Sequence, residues 1–203
     1  RNVTLEAEYY AECDPVRYNR VKPLLWIWIQ FDHSPLGQNV HLGLMVRRLL
    51  AKHVFRHCGE NVRIFRDVEV SFGYNLSVGD HTTIHRCVLL DDRGEIVIGS
   101  NVSISDYANV YSHAHDIEDI ERVTCGRTVI GDGARVTFHG VVLSGMSIGR
   151  NAMVGTMGVV TRKVPDHHIS VGIPAKSVRV KREGLRGKEA GALPGTVSRV
   201  VME

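Results

Sequence analysis

Aromatic residues are scarce, at 6% of the 203 residues, and no charge of either sign dominates. The 25 Lys plus Arg against 22 Asp plus Glu leave a formal charge of +3. That balance lacks the basic footprint of a nucleic-acid-binding domain, so no nucleic-acid partner is expected. Cysteine is equally sparse. Cys13, Cys58, Cys87 and Cys125 are far apart and form no Cys-x-x-Cys pair, which argues against a zinc ribbon, a thioredoxin-type site or a disulfide scaffold. Reduced thiols and a cytoplasmic setting are the expectation. The longest apolar run, Leu24-Leu25-Trp26-Ile27-Trp28-Ile29, is far shorter than the roughly 20 residues that span a bilayer, and no signal-peptide pattern is visible. What is abundant is glycine, 20 residues, within an ordinary globular composition of 43% hydrophobic and 23% charged residues.

Three segments follow from the patterning: 1–58, 59–181 and a tail, 182–203. In the first, residues 3–12 read as a short helix ended by Asp14-Pro15. A Trp26/Trp28 segment follows, bounded by Pro23 and by the turn-like Ser34-Pro35-Leu36-Gly37. Over residues 39–57 the apolar Leu42, Met45, Val46, Leu49, Leu50 and Val54 recur at helical spacing. Arg47, Arg48, Lys52, His53 and Arg56 fall on the other side, making a basic amphipathic helix. Its charged face is solvated, or contacts a membrane surface or an anionic substrate.

From residue 59 the period changes to six. Ile130, Val136, Val142, Ile148, Val154 and Val160 keep strict register, and the fourth position after each is mostly small, as at Ala134, Gly140, Ala152 and Gly158. The same phase holds at Val78, Ile84 and Leu90 and at Ile98, Ile104 and Val110. A short fixed repeat of this kind predicts an all-β solenoid. Each unit is one strand and one turn, three units close a triangular coil, and coils stack by parallel pairing. Glycine follows several of the aliphatics, as in Ile130-Gly131 and Ile148-Gly149, where a tight turn at positive φ is the expected reason. Two interruptions, Asp91-Asp92-Arg93-Gly94 and residues 115–127, are rich in ionisable groups. Insertions in a solenoid become loops, so the site is expected there.

The segments Ile130-Gly131-Asp132, Ser144-Gly145-Met146-Ser147-Ile148-Gly149, Val159-Val160-Thr161-Arg162-Lys163-Val164-Pro165 and Val171-Gly172-Ile173-Pro174-Ala175-Lys176 together resemble the hexapeptide-repeat acyltransferases. The sugar O-acetyltransferases of the maltose, galactoside and nodulation-factor group are the most similar. That resemblance implies a left-handed parallel β-helix, a homotrimer, acetyl-CoA or another acyl-CoA as co-substrate in a cleft between subunits, and no metal. It implies an O-acyltransferase acting on a hydroxyl of a sugar or sugar-containing acceptor.

The family's catalytic histidine matches His115 in Tyr111-Ser112-His113-Ala114-His115-Asp116, with His113 as its competitor. Imidazole titrates near neutrality and can take the proton of an attacking hydroxyl. Tyr111, His113 and His115 share one face if the strand alternates. Asp91 and Asp92 match an acidic pair that holds acceptor hydroxyls, Asp92 being the better match. His85 lies near an acceptor-contacting position. The CoA contacts match Thr156, Thr161, Arg162, Lys176 and Arg179, cations suiting phosphates. The family's Trp-Ile-Gly turn is replaced by Arg135-Val136-Thr137, and Phe138 and His139 stand where small residues are usual. Two other readings use the same solenoid: a gamma-class carbonic anhydrase, with three His ligands drawn from His81, His85, His113, His115 and His139, and a non-catalytic assembly module.

Overall fold

The computed structural model describes residues 14–118 and 123–181. The readings made for residues 3–12 and for the tail, 182–203, lie outside those residues.

Asp14-Pro15 opens a helix where the sequence reading had it close one. The Asp14 carboxylate accepts from Arg17 N–H at 3.0 Å, and proline suits the first turn because its missing N–H has no helical partner there. Helix α1 (Pro15–Asp32) then runs through Pro23, which bounds nothing. Helix α2 (Val40–Val54) is capped by Asn39, whose side chain accepts from Leu42 N–H, and ends with Lys52 and His53 against the carbonyl end. Arg47 is not on its solvated face. Its side chain is 2% exposed and paired with buried Asp32, whose second oxygen accepts from Asp67 N–H at 3.0 Å. That clasp ties both helices to the solenoid.

Strands then follow in coils. The first holds β1 (His57–Cys58), β2 (Arg63–Ile64) and β3 (Glu69–Val70). The second holds β4 (Leu76–Val78), β5 (Thr83–Ile84) and β6 (Leu89–Asp91), and the third β7 (Ile96–Ile98), β8 (Ser103–Ile104) and β9 (Asn109–Tyr111). A hairpin, β10 (His113–His115) with β11 (Val123–Cys125), projects before the fourth coil of β12 (Thr128–Ile130), β13 (Arg135–Val136) and β14 (Val141–Val142). The fifth is β15 (Ser147–Ile148), β16 (Met153–Val154) and β17 (Val159–Val160); β18 (His168–Val171) and β19 (Lys176–Val180) finish the stack.

Like strands of successive coils pair in parallel, giving three sheets. The first is β1-β4-β7-β12-β15, the second β2-β5-β8-β13-β16-β18-β19, the third β3-β6-β9-β14-β17. Among the described residues only β19, on β18, and the β10–β11 hairpin are antiparallel. The hexad aliphatics form the core: Ile84, Leu90, Ile104, Ile130, Val136, Val142, Val154 and Val160 are wholly buried, as are Ala134 and Ala152.

The glycines after the aliphatics have a different reason from the expected one. The glycine-type φ belongs two residues later, to Asn61, His81, Asn101, Gly133 and Asn151. Gly79 and Gly131 are required by the approach of the next coil: a Cβ on Gly79 would lie 2.7 Å from Gly99 and Ser100 backbone, and one on Gly131 2.9 Å from Arg150 N.

Candidate functional site

The corner between the third and first sheets carries the insertions. Ser112 and Thr128, both wholly buried, clamp the base of the hairpin. Ser112 Oγ donates to Asp91 O at 2.6 Å and accepts from Gly94 N–H at 2.8 Å. Thr128 Oγ1 donates to Tyr111 O at 2.7 Å and accepts from Gly145 N–H at 3.0 Å. Each hydroxyl thus joins neighbouring coils where their turns are irregular, and fixes the departure angle of β10.

On β10, His113 and His115 fall on one side, as strand alternation requires. Their rings meet edge to face with centroids 5.4 Å apart. His113 is 10% exposed, and its Nδ1 lies 2.9 Å from Oδ2 of Asp91, itself 5% exposed. Arg93 Nε reaches Asp91 Oδ1 at 3.3 Å, and Ser71 Oγ donates to the same oxygen at 2.9 Å. Arg93 Nη1 is 3.2 Å from His113 Nε2. A guanidinium can only donate, so Nε2 accepts and the proton of the neutral ring sits on Nδ1, facing Asp91. His115, one strand repeat further out, is exposed.

Asp92 does not join this cluster. It is wholly buried, and its two oxygens accept from Phe72 N–H at 2.8 Å and Asn75 N–H at 3.1 Å. Burial pushes its carboxyl up to about 6, against the pull of backbone hydrogen bonds from Phe72, Gly73 and Asn75. Adjacent residues at a coil corner face opposite ways, and the inward one became the turn's anchor.

His85 also lies elsewhere. It follows β5 on the corner between the second and third sheets, stacked on Phe65 with centroids 5.2 Å apart. A three-sided coil sends residues of different corners to different faces, so one chain does not bring His85 to His113. The same geometry puts His81 at another corner, and His139 at the corner of His85, away from the touching pair His113 and His115. Among the described residues, no three His, Cys, Asp or Glu side chains gather as a metal site.

Tyr111, by contrast, is the direct parallel neighbour of Asp91. The register of the third sheet carries that column onward to Leu143 and Thr161, since Val110 pairs with Val142 and Val142 with Val160. Three coil spacings of about 4.8 Å put Thr161 roughly 14 Å from Asp91 along one line. Thr156, Arg162, Lys176 and Arg179 are exposed at the same end of the stack. Thr156 lies in the turn before β17, Arg162 beyond β17, Lys176 and Arg179 on β19.

No family model matches the chain. A putative acetyltransferase of Staphylococcus aureus is 30% identical over 137 residues, 66% of this chain and 69% of that protein. The chain belongs to the hexapeptide-repeat acetyltransferases. Galactoside O-acetyltransferase of Escherichia coli is 25% identical over 169 residues, 81% of this chain and 79% of that one. In fold, this acetyltransferase matches a maltose O-acetyltransferase from Clostridium difficile at a TM-score of 0.72 and 20% identity, covering 86% of this chain and 92% of that one. It likewise matches a Vibrio cholerae hexapeptide-repeat acetyltransferase complexed with acetyl-CoA, at 0.72 and 23% identity, covering 83% and 89%.

Two members of the site went unseen in the sequence of this acetyltransferase. Arg93 stood in the shorter insertion, and its charge was the available signal. Ser71 carried none, because it meets Asp91 only through the parallel pairing of β3 with β6.

Proposed function

We propose that this acetyltransferase moves an acetyl group from acetyl-CoA to a hydroxyl of a sugar or sugar-containing acceptor, with His115 as the general base. The observation that carries the reading is the pairing of an exposed His115 with a neighbour, His113, fixed by Asp91 and Arg93. An unprotonated nitrogen of His115 takes the acceptor proton while the hydroxyl oxygen bonds to the thioester carbonyl carbon. The tetrahedral adduct collapses, the C–S bond breaks, and the imidazolium returns the proton to the CoA sulfur. No covalent enzyme intermediate is needed.

Asp91 is a positioning residue in this scheme, since its oxygens already serve Ser71, Arg93 and His113. Tyr111, beside it in register, is the better candidate for an acceptor contact. Thr156 and Thr161 flank the donor's path, and Arg162, Lys176 and Arg179 supply cations for its phosphates. All five are exposed in one chain, which suits a donor cleft completed by a neighbouring subunit of a homotrimer.

The test is CoA release with a panel of sugars, wild type beside His115→Ala and His113→Ala. Turnover by the His115 variant should fall about 10²- to 10⁴-fold, with CoA affinity by calorimetry unchanged. Full activity in that variant would move the base to His113. Absence of CoA binding in the wild type would sink acyl transfer itself.

A further inference from the structure

We propose that the outer face of α1 docks the protein on an anionic phospholipid bilayer, with the helix lying along the surface. The chain has two tryptophans, and α1 treats them oppositely. Trp28 is 3% exposed and packs on Phe55 in the core, whereas Trp26 is 64% exposed. Pro23, Ile27 and Ile29 are exposed with it. Lys22, Trp26 and Ile29 recur at i, i+4 and i+7, and Arg20 and Ile27 at i and i+7, so two stripes, each holding a cation and apolar side chains, border the outward side of the helix. Isolated exposed apolar residues need no explanation; an aromatic and two isoleucines beside two cations have the composition of an interfacial helix.

Charge selects the occupant. Between Asp14 and Asp32, α1 holds no carboxylate, and Asp32 itself is buried against Arg47. Next to the N-terminal half of the face, a cleft of about 320 Å³ is lined by Arg17, Arg20, Lys52, His53 and Arg56, with no carboxylate among its lining residues. Arg17 and Arg56 are paired with Asp14 and Glu95 outside that lining, and Lys52 lies 3.7 Å from Glu60. A second copy would bring the same cations against themselves, whereas a phosphate headgroup complements them. Among the described residues no helix is long and apolar enough to cross a membrane, so the arrangement is one of lying on the surface rather than spanning it.

The two tryptophans make the test site-specific. In the full chain carrying Trp28→Phe, Trp26 is the remaining fluorophore. Vesicles of phosphatidylcholine with about one quarter phosphatidylglycerol should shift its emission to the blue and sediment the protein at low salt. Pure phosphatidylcholine should do neither. Trp26→Glu should abolish sedimentation, while Arg20→Gln and Lys22→Gln should each weaken it about fivefold, with CoA release on a soluble acceptor unchanged. Should Trp28→Phe fail to fold, sedimentation of the wild type against Trp26→Glu decides alone. No sedimentation of the wild type overturns the proposal. So does an emission already blue before vesicles are added, or a fall in mass by light scattering on Trp26→Glu, which would assign the face to another copy of the chain.

Discussion

Two corners of the same solenoid behave differently. Between the first and second sheets, Asn61, His81, Asn101, Gly133, Asn151 and His167 occupy equivalent places coil after coil, all at φ between 54° and 67°. From His81 onward each N–H there donates to a carbonyl of the preceding coil, as from His81 to Glu60 and from Asn101 to Asp80. Between the third and first sheets no two turns match. Phe72–Asn75 folds around a buried carboxylate, Asp91–Arg93 bears ionisable groups, and the next turn throws out a hairpin. Where the turn repeats, it serves stacking; where the repeat is broken, polar side chains are held at fixed separation, and the proposed site lies among them.

The sharpest way to break this contrast is to damage what both corners share. Leu90→Ala removes a wholly buried hexad residue and should cost about 2–5 kcal/mol in denaturant unfolding, lowering both stability and turnover. Next in size is Asp92. Its folded value, about 6, lies above the ordinary 3.8. As pH rises through that interval the unfolded chain loses the proton first, so this group's contribution to stability falls and then levels off. The stability gap between wild type and Asp92→Asn should therefore change by on the order of 3 kcal/mol across the window, measured by thermal unfolding at stepped pH. A flat gap would mean the turn carries its carboxylate without strain.

Asp91→Asn tests the irregular corner alone. It should lower kcat about tenfold to a hundredfold and displace the pH–rate profile, with KM for acetyl-CoA unchanged, because it alters the orientation of His113 rather than donor contacts. The smallest effect belongs to the regular corner. Asn101→Ala at φ 57° should cost about 1 kcal/mol in stability with no change in turnover, and Asn101→Gly should cost less.

The hexad register was legible because each inward aliphatic is fixed by one local rule, repeated. The existence of α2 was legible too, with its Asn39 cap beside it, but not its inward face: Gly43, Arg47, Ala51 and Val54 are buried, while Met45 and Leu49 are exposed. Legibility ended where long-range pairing decides. Gly131 was read as a turn residue, yet its constraint comes from the backbone of Gly149 and Arg150 in the next coil. Arg47 looked like solvated charge, because nothing local signals Asp32 as its buried partner. At the site, the histidines and the acidic pair were visible as residue types in insertions. Which aspartate turns inward, and that His85 faces another side, depend on the corner each occupies.

A stack held by parallel pairing has, in principle, no reason to stop, because each terminal coil offers unpaired backbone groups to another chain. Here both ends are spoiled as templates. Helices α1 and α2 cover the first coil, fastened by Asp32 to Asp67. At the other end β19 folds back antiparallel on β18 with a break in register, so an incoming strand meets the wrong polarity. Over the described residues the stack therefore has a fixed length: it is a finite column rather than the seed of a fibre.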